Sequence, residues 1–218
     1  YLPQSLGMMC ITNIGDPDTW FATKYADASV YGTKRAQYEP LERLLDRYTT
    51  PWIAAHMGGW PEDLEFLDGL LSRHDNLHLD TSATKWMVRA LSRHPATDLG
   101  AFLDRWEGRI LFGSDIVTTD QHFESGSAER GMGHLASSED EAFDLYAGRY
   151  WCLRTLWETD YDGESPIADP DLALVDPQRH DAMSAPRLSG KRLPDATLRT
   201  LYNGAASGLL ENWWDAHP

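Results

Sequence analysis

The chain has 218 residues, of which 42% are hydrophobic and 24% are charged, a composition typical of a folded globular domain with one sizeable core. Its formal net charge of −15 repels phosphate backbones and anionic membrane surfaces, so we expect neither nucleic acid nor a membrane as a partner. No apolar run is long enough to cross a bilayer, and the first residues lack the pattern of a signal peptide. These properties predict a cytoplasmic protein, with a homo-oligomer left open.

Four short, mostly apolar segments have the pattern of buried strands. In chain order they are Gly7 to Asn13, Trp52 to His56, Leu77 to Asp80 and Arg109 to Gly113. Between them, apolar residues recur at helical spacing in four places, namely Tyr38 to Tyr48, Leu64 to Leu71, Lys85 to Ser92 and Thr97 to Trp106. This alternation predicts an α/β fold with a parallel sheet and crossover helices.

The second part of the chain has a different pattern. Ser138 and Glu141 form a capping box that predicts a long helix to about Glu158. Its expected buried stripe consists of Ala142, Phe143, Tyr146, Tyr150, Leu153 and Trp157. Residues 161–192 contain several prolines and acids without a clear period, so they predict either an ordered surface excursion or a mobile loop. Helical spacing returns from Leu193 to Trp213.

Polar residues follow or end all four predicted strands: Asn13, His56, Asp80 and Asp115. The carboxyl ends of parallel strands meet at one edge, so these residues are expected to converge. An imidazole and a carboxylate are good ligands for a divalent metal, which can activate water and polarise a carbonyl group. Asp80, which precedes Thr-Ser, better fits a turn or cap residue. The main candidates are therefore His56 and Asp115.

Four segments carry a resemblance to a known family. They are AHMGGWPED around His56, NLHLDTSA, RILFGSD ending in Asp115, and LYNGAASGLL near the C-terminus. Together they resemble the back half of the amidohydrolase-related family of metal-dependent (β/α)₈-barrel enzymes. The resemblance implies strands five to eight of a parallel barrel followed by C-terminal helices. Residues 1–218 would then form a single, N-terminally incomplete domain of this type.

The resemblance also implies a metal site. In the family, a His after strand five, a His after strand six and an Asp after strand eight join a His-x-His pair at a metal that is usually zinc. His56 takes the strand-six position and Asp115 the strand-eight position, and both are expected to be metal-binding and catalytic. Asn13 stands where the family usually has His. Because an amide is a poor zinc ligand, we expect this chain to bind zinc weakly or not at all.

Three functions remain open at this point. The first is a metal-dependent hydrolase in which activated water attacks a carboxyl-level carbon of a small or cyclic substrate. The second is a metal-dependent decarboxylase of the aminocarboxymuconate-semialdehyde type, which the same resemblance implies. The third is a non-catalytic remnant or scaffold, which Asn13 favours. Trp20, Trp60 and Trp86 follow strand tips and are candidates for the wall of a substrate pocket.

Overall fold

A four-stranded parallel sheet forms the centre of the computed structural model, which describes residues 2–116 and 138–216. The strands are β1 (Cys10–Thr12), β2 (Trp52–Ala54), β3 (Leu77–Asp80) and β4 (Ile110–Leu111). They lie in the order β1-β2-β3-β4, and each pair of neighbours is parallel. The predicted parallel α/β sheet is therefore confirmed. Within the described residues the sheet is open and does not close into a barrel.

Helices connect the strands and continue after the sheet. The first group is α1 (Leu2–Ser5), α2 (Asp18–Phe21), α3 (Ala28–Tyr31), α4 (Tyr38–Arg47), α5 (Leu64–Arg73), α6 (Thr84–Leu91) and α7 (Ala96–Arg105). The second group is α8 (Glu139–Glu158), α9 (Asp171–Val175), α10 (Asp195–Arg199) and α11 (Ala205–Ala216). A 3₁₀ turn, Arg35–Gln37, precedes α4, and a π turn, Thr200–Gly204, joins α10 to α11. In the part of the chain that is described, no helix is long and apolar enough to span a membrane.

The main hydrophobic core lies between the sheet and the helices that cross over one of its faces. Leu77 and Leu79 of β3 are buried there, since alternate residues of a strand point to the same face. The helices contribute the core residues Leu41, Leu45, Leu67, Leu70, Leu71, Met87, Leu91, Leu99, Leu156 and Trp157. The opposite face is only partly covered, by packing of α11 onto β4 through Leu209 and Leu111. Ile11 of β1 remains 75% exposed.

Residues 161–192 are an ordered excursion. They contain an antiparallel pair of short strands, β5 (Asp162–Glu164) and β6 (Arg187–Ser189), with α9 between them. Leu188 of β6 is buried in a small cluster with Val88 of α6 and Cys152 of α8. The excursion is therefore packed onto the rest of the fold, and of the two predicted possibilities the ordered one is confirmed.

The turn after β2 brings the backbone of two loops very close together. Gly59 has a φ of +78°, and a Cβ atom at this position would lie 1.6 Å from the carbonyl oxygen of Ile14. Left-handed backbone costs an L-residue with a side chain roughly 1–2 kcal/mol, and here a steric clash is added to that cost. Only glycine therefore fits between the loop after β1 and the turn after β2.

We predict that Gly59→Ala lowers the free energy of unfolding by more than about 2 kcal/mol, because the clash adds to the left-handed penalty. Gly100→Ala in α7 is the matched control, since a Cβ there meets nothing within 4 Å and alanine favours a helix by roughly 0.5–1 kcal/mol. Urea unfolding of both variants measures the difference. Equal stability of Gly59→Ala and the parent chain would contradict the close approach of the two loops.

Candidate active site

A cavity of about 280 Å³ opens at the carboxyl edge of the sheet. Asn13, which follows β1, His56, which follows β2, and Asp115, which follows β4, all line it. Thr84, at the start of the helix after β3, also lines this cavity. The parallel direction of the strands explains this convergence, because every carboxyl end reaches the same edge. The structure thus brings together the three residues predicted from the resemblance.

His56 lies in a strained turn directly after β2. The turn, Ala55–Gly58, is left-handed: φ is +60° at His56 and +51° at Met57, an unfavourable region for residues with a Cβ atom. Two contacts hold it in place. The amide of His56 donates to Asp80 Oδ1 (3.0 Å), and the hydroxyl of Tyr38 donates to the carbonyl of Gly58 (2.7 Å). Such strain is found where the surroundings determine the conformation, often at functional sites.

The His56 ring is oriented by a short relay of hydrogen bonds. Its Nδ1 atom lies 2.7 Å from the Ser82 hydroxyl, and that hydroxyl donates to Asp80 Oδ1. A carboxylate only accepts hydrogen bonds, and a hydroxyl has a single hydrogen to donate. Ser82 must therefore accept from His56, so Nδ1 carries the proton. The neutral ring then has an unprotonated Nε2, which is free to act as a base or as a ligand.

Asp115 is placed at the end of β4 by a left-handed backbone, with φ at +48°. Its carboxylate attracts the guanidinium of Arg149, which lines the same cavity from α8. Burial lowers the pKa of Arg149, and Asp115 acts in the opposite direction. The site therefore combines an imidazole, a carboxylate and a buried cation around one cavity.

A buried ion-pair network closes one side of the cavity. Arg89 of α6 forms ion pairs with Asp169 and with Asp171, the latter at 3.2 Å. Asp171 also accepts hydrogen bonds from Trp20 Nε1 and from the Thr19 hydroxyl, both at 2.9 Å. Burial raises the pKa of Asp169, and the charge of Arg89 opposes that rise. The network joins the 161–192 excursion to α6 and to the loop after β1.

Two of the three predicted tryptophans line the cavity. Trp20 and Trp86 belong to its wall, whereas Trp60 stacks on Tyr38 in the core with ring centroids 5.8 Å apart. Trp86 is held by a hydrogen bond from its Nε1 to Glu62 (2.6 Å). Lys34 lies beside this pair, 3.6 Å from Glu62 and 5.4 Å from the centre of the Trp86 ring. The apolar wall is thereby fixed in position.

Two residues of the metal site that the resemblance implies, His56 and Asp115, line the cavity. Among residues 2–116 and 138–216, no group of three or more His, Cys, Asp or Glu side chains is placed to hold a metal ion. Catalytic zinc sites generally have three protein ligands, and His56 with Asp115 supplies two. The described residues therefore do not make a complete zinc site, and zinc binding stays a prediction.

Several site residues were not identified from the sequence. Asp80 was interpreted as a turn or cap residue, and it does accept from the Ser82 amide (2.9 Å), but it also accepts from the His56 amide on the neighbouring loop. The feature of the sequence that could have identified Asp80 as a site residue is its position at the end of a predicted strand. The sequence does not identify three further residues of the cavity, namely Lys85, Arg89 and Arg149. They lie inside helical patterns, and only the packing of the helices brings them to the cavity.

We predict that nitrogen-15 NMR of the His56 ring detects the Nδ1–H tautomer in the parent chain. Ser82→Ala removes the acceptor of that proton and should shift the ring toward the Nε2–H form, at a cost of about 1 kcal/mol in stability. Ser72→Ala is the control, because the Ser72 hydroxyl donates to a carbonyl group within its own helix, α5. A parent chain with its proton on Nε2 would show that the relay is wrong.

Comparison with protein-family models, with curated proteins and with solved structures gave no significant match for this chain.

Proposed function

We propose that the chain is a hydrolase of the amidohydrolase-related type that acts on a small carboxyl-level or cyclic substrate in the cavity. The observation that carries the proposal is the shared cavity of His56 and Asp115, which come from the ends of two different parallel strands. The open parallel sheet, with helices between its strands, fits the back half of a (β/α)₈ barrel. We accordingly propose a partial barrel for this chain.

In the proposed reaction, His56 acts as the general base. The relay from Asp80 through Ser82 keeps the proton on Nδ1, so Nε2 accepts a proton from water as that water attacks the substrate carbon. The protonated ring then returns the proton to the leaving group. Asp115, which lines the same cavity, would act as a proton shuttle that passes this proton from the ring to the leaving group. Trp20 and Trp86 limit the access of bulk water to the reacting groups.

Decarboxylation is the second candidate, and the cationic side chains at the cavity favour it. Lys85 and Arg149 would hold a substrate carboxylate there. Loss of carbon dioxide, however, requires a proton to be delivered to carbon, whereas a neutral His56 with an unprotonated Nε2 is prepared to accept one. We therefore rank hydrolysis first. A non-catalytic scaffold is the remaining alternative, and activity measurements separate it from both enzymes.

We predict that the chain cleaves some member of a panel of small esters, amides and lactones, and that His56→Gln and Asp115→Asn each reduce kcat/KM by about 100-fold or more. Product formation measured by chromatography tests this, with carbon dioxide release from carboxylated compounds as a parallel assay. Asp144→Asn, an exposed position on α8, is the control for charge loss. Activity that persists in both site variants would refute the assignment.

Zinc binding is a separate proposal. We propose His56 and Asp115 as two of its ligands, and Asn13 as the position where a third is missing. Nε2 of His56 would then ligate the metal and could not accept a proton, so zinc binding is an alternative to the general-base role of His56. Asn13→His would add an imidazole to the same cavity, so we predict that it raises zinc affinity by about tenfold or more. Calorimetric titration of the parent chain and the variant measures this change. Equal affinities would mean that Asn13 is not at the metal position.

A further inference from the structure

Two cationic side chains face the cavity and are not used by the proposed reaction. Lys85 lies on α6 and is half-buried, and Arg149 lies on α8 with only 5% of its surface exposed. The two helices pack against each other, and both side chains line the cavity. Two positive charges are therefore held close together at the edge of a partly dehydrated space.

Four carboxylates line the cavity together with these cations, namely Asp16, Asp115, Asp169 and Asp171, and two of them are engaged elsewhere. Asp169 and Asp171 form their ion pairs with Arg89. They attract Lys85, and Asp115 attracts Arg149, but at ranges longer than a direct ion pair. Within the described parts of the chain, neither Lys85 nor Arg149 forms an ion pair with a carboxylate. The described residues therefore compensate the two charges only in part.

This arrangement is unfavourable without a further negative charge. Burial lowers the pKa of the Lys85 ammonium, and the charge of Arg149 lowers it further. Burial also lowers the pKa of Arg149. A desolvated charge costs free energy unless it is paired, and two like charges add repulsion to that cost. An anion bound between the two groups would relieve both effects.

We propose that Lys85 and Arg149 form a subsite for the oxyanion group of a small ligand, either a carboxylate or a phosphate. The guanidinium offers a planar pair of donors that matches both groups, and the ammonium adds a second charge. Trp20 and Trp86 line the same cavity and would contact the apolar body of the ligand. The subsite rests on the proposed function in one respect: it would orient the substrate of the proposed hydrolase.

Calorimetric titration with benzoate, phenyl phosphate and uncharged benzamide tests the subsite. We expect the two anions to bind at least about tenfold more tightly than benzamide, since a hydrogen bond between charged groups is stronger than one to a neutral group. A difference between benzoate and phenyl phosphate identifies the preferred oxyanion. Equal affinities for the anions and benzamide, or no binding of either anion, would overturn the proposal.

Lys85→Gln should reduce the affinity for the preferred anion by about tenfold and leave benzamide binding unchanged. Arg43→Gln is the matched control, because it removes the same charge from a side chain that is 69% exposed on α4. Equal losses in the two variants would indicate a general effect of net charge and would also overturn the subsite. Because binding is measured without turnover, inactivity toward every substrate would count against the hydrolase and not against this subsite.

Discussion

The Asp80 carboxylate at the end of β3 is the interaction on which the candidate site depends. One of its oxygens accepts hydrogen bonds from the amide of His56, the amide of Ser82 and the hydroxyl of Ser82. It thereby links the loops after two neighbouring strands. It also stabilises a left-handed turn that His56 and Met57 would otherwise avoid. The position of the His56 turn, the orientation of its ring and its tautomer follow from this one acceptor.

The sheet and the strand tips could be predicted because their signals are local. Each strand is a short apolar run that ends in a polar or glycine-containing loop, and the order of elements specifies a parallel sheet. His56, Asp115 and Asn13 could be assigned to one edge for the same reason. The long helix was also predicted, since the Ser138 hydroxyl accepts from the Glu141 amide as the capping box requires. Local capping chemistry determines where a helix begins, whatever it packs against.

Features that depend on long-range packing were missed or were wrong. Of the predicted stripe of α8, Ala142, Leu153 and Trp157 are buried as expected. Phe143 and Tyr150 are instead 70% and 48% exposed, and Arg149 and Cys152 are buried. The predicted and the observed buried faces of α8 both repeat at helical spacing and are offset from each other by about one residue. Periodicity alone cannot distinguish the two faces, because apolar residues occur on both. The pairing of β5 with β6 was missed for a related reason. Their short segments lack apolar alternation and are stabilised by contacts with distant elements, such as the Ser189 amide with Ser92 (3.0 Å).

The electrostatics of the cavity differ from those of the whole molecule, and this difference bears on selectivity. A net charge of −15 opposes the approach of any anion, but water and salt screen this repulsion beyond a distance of about 8 Å at physiological ionic strength. Lys85 and Arg149 act at direct contact in a partly dehydrated cavity, where screening is weaker. The net negative charge of the chain would therefore slow the association of all anions. Lys85 and Arg149 would slow the dissociation of those anions that fit the cavity. Discrimination among anions would then depend on the shape of the cavity and on its tryptophan walls.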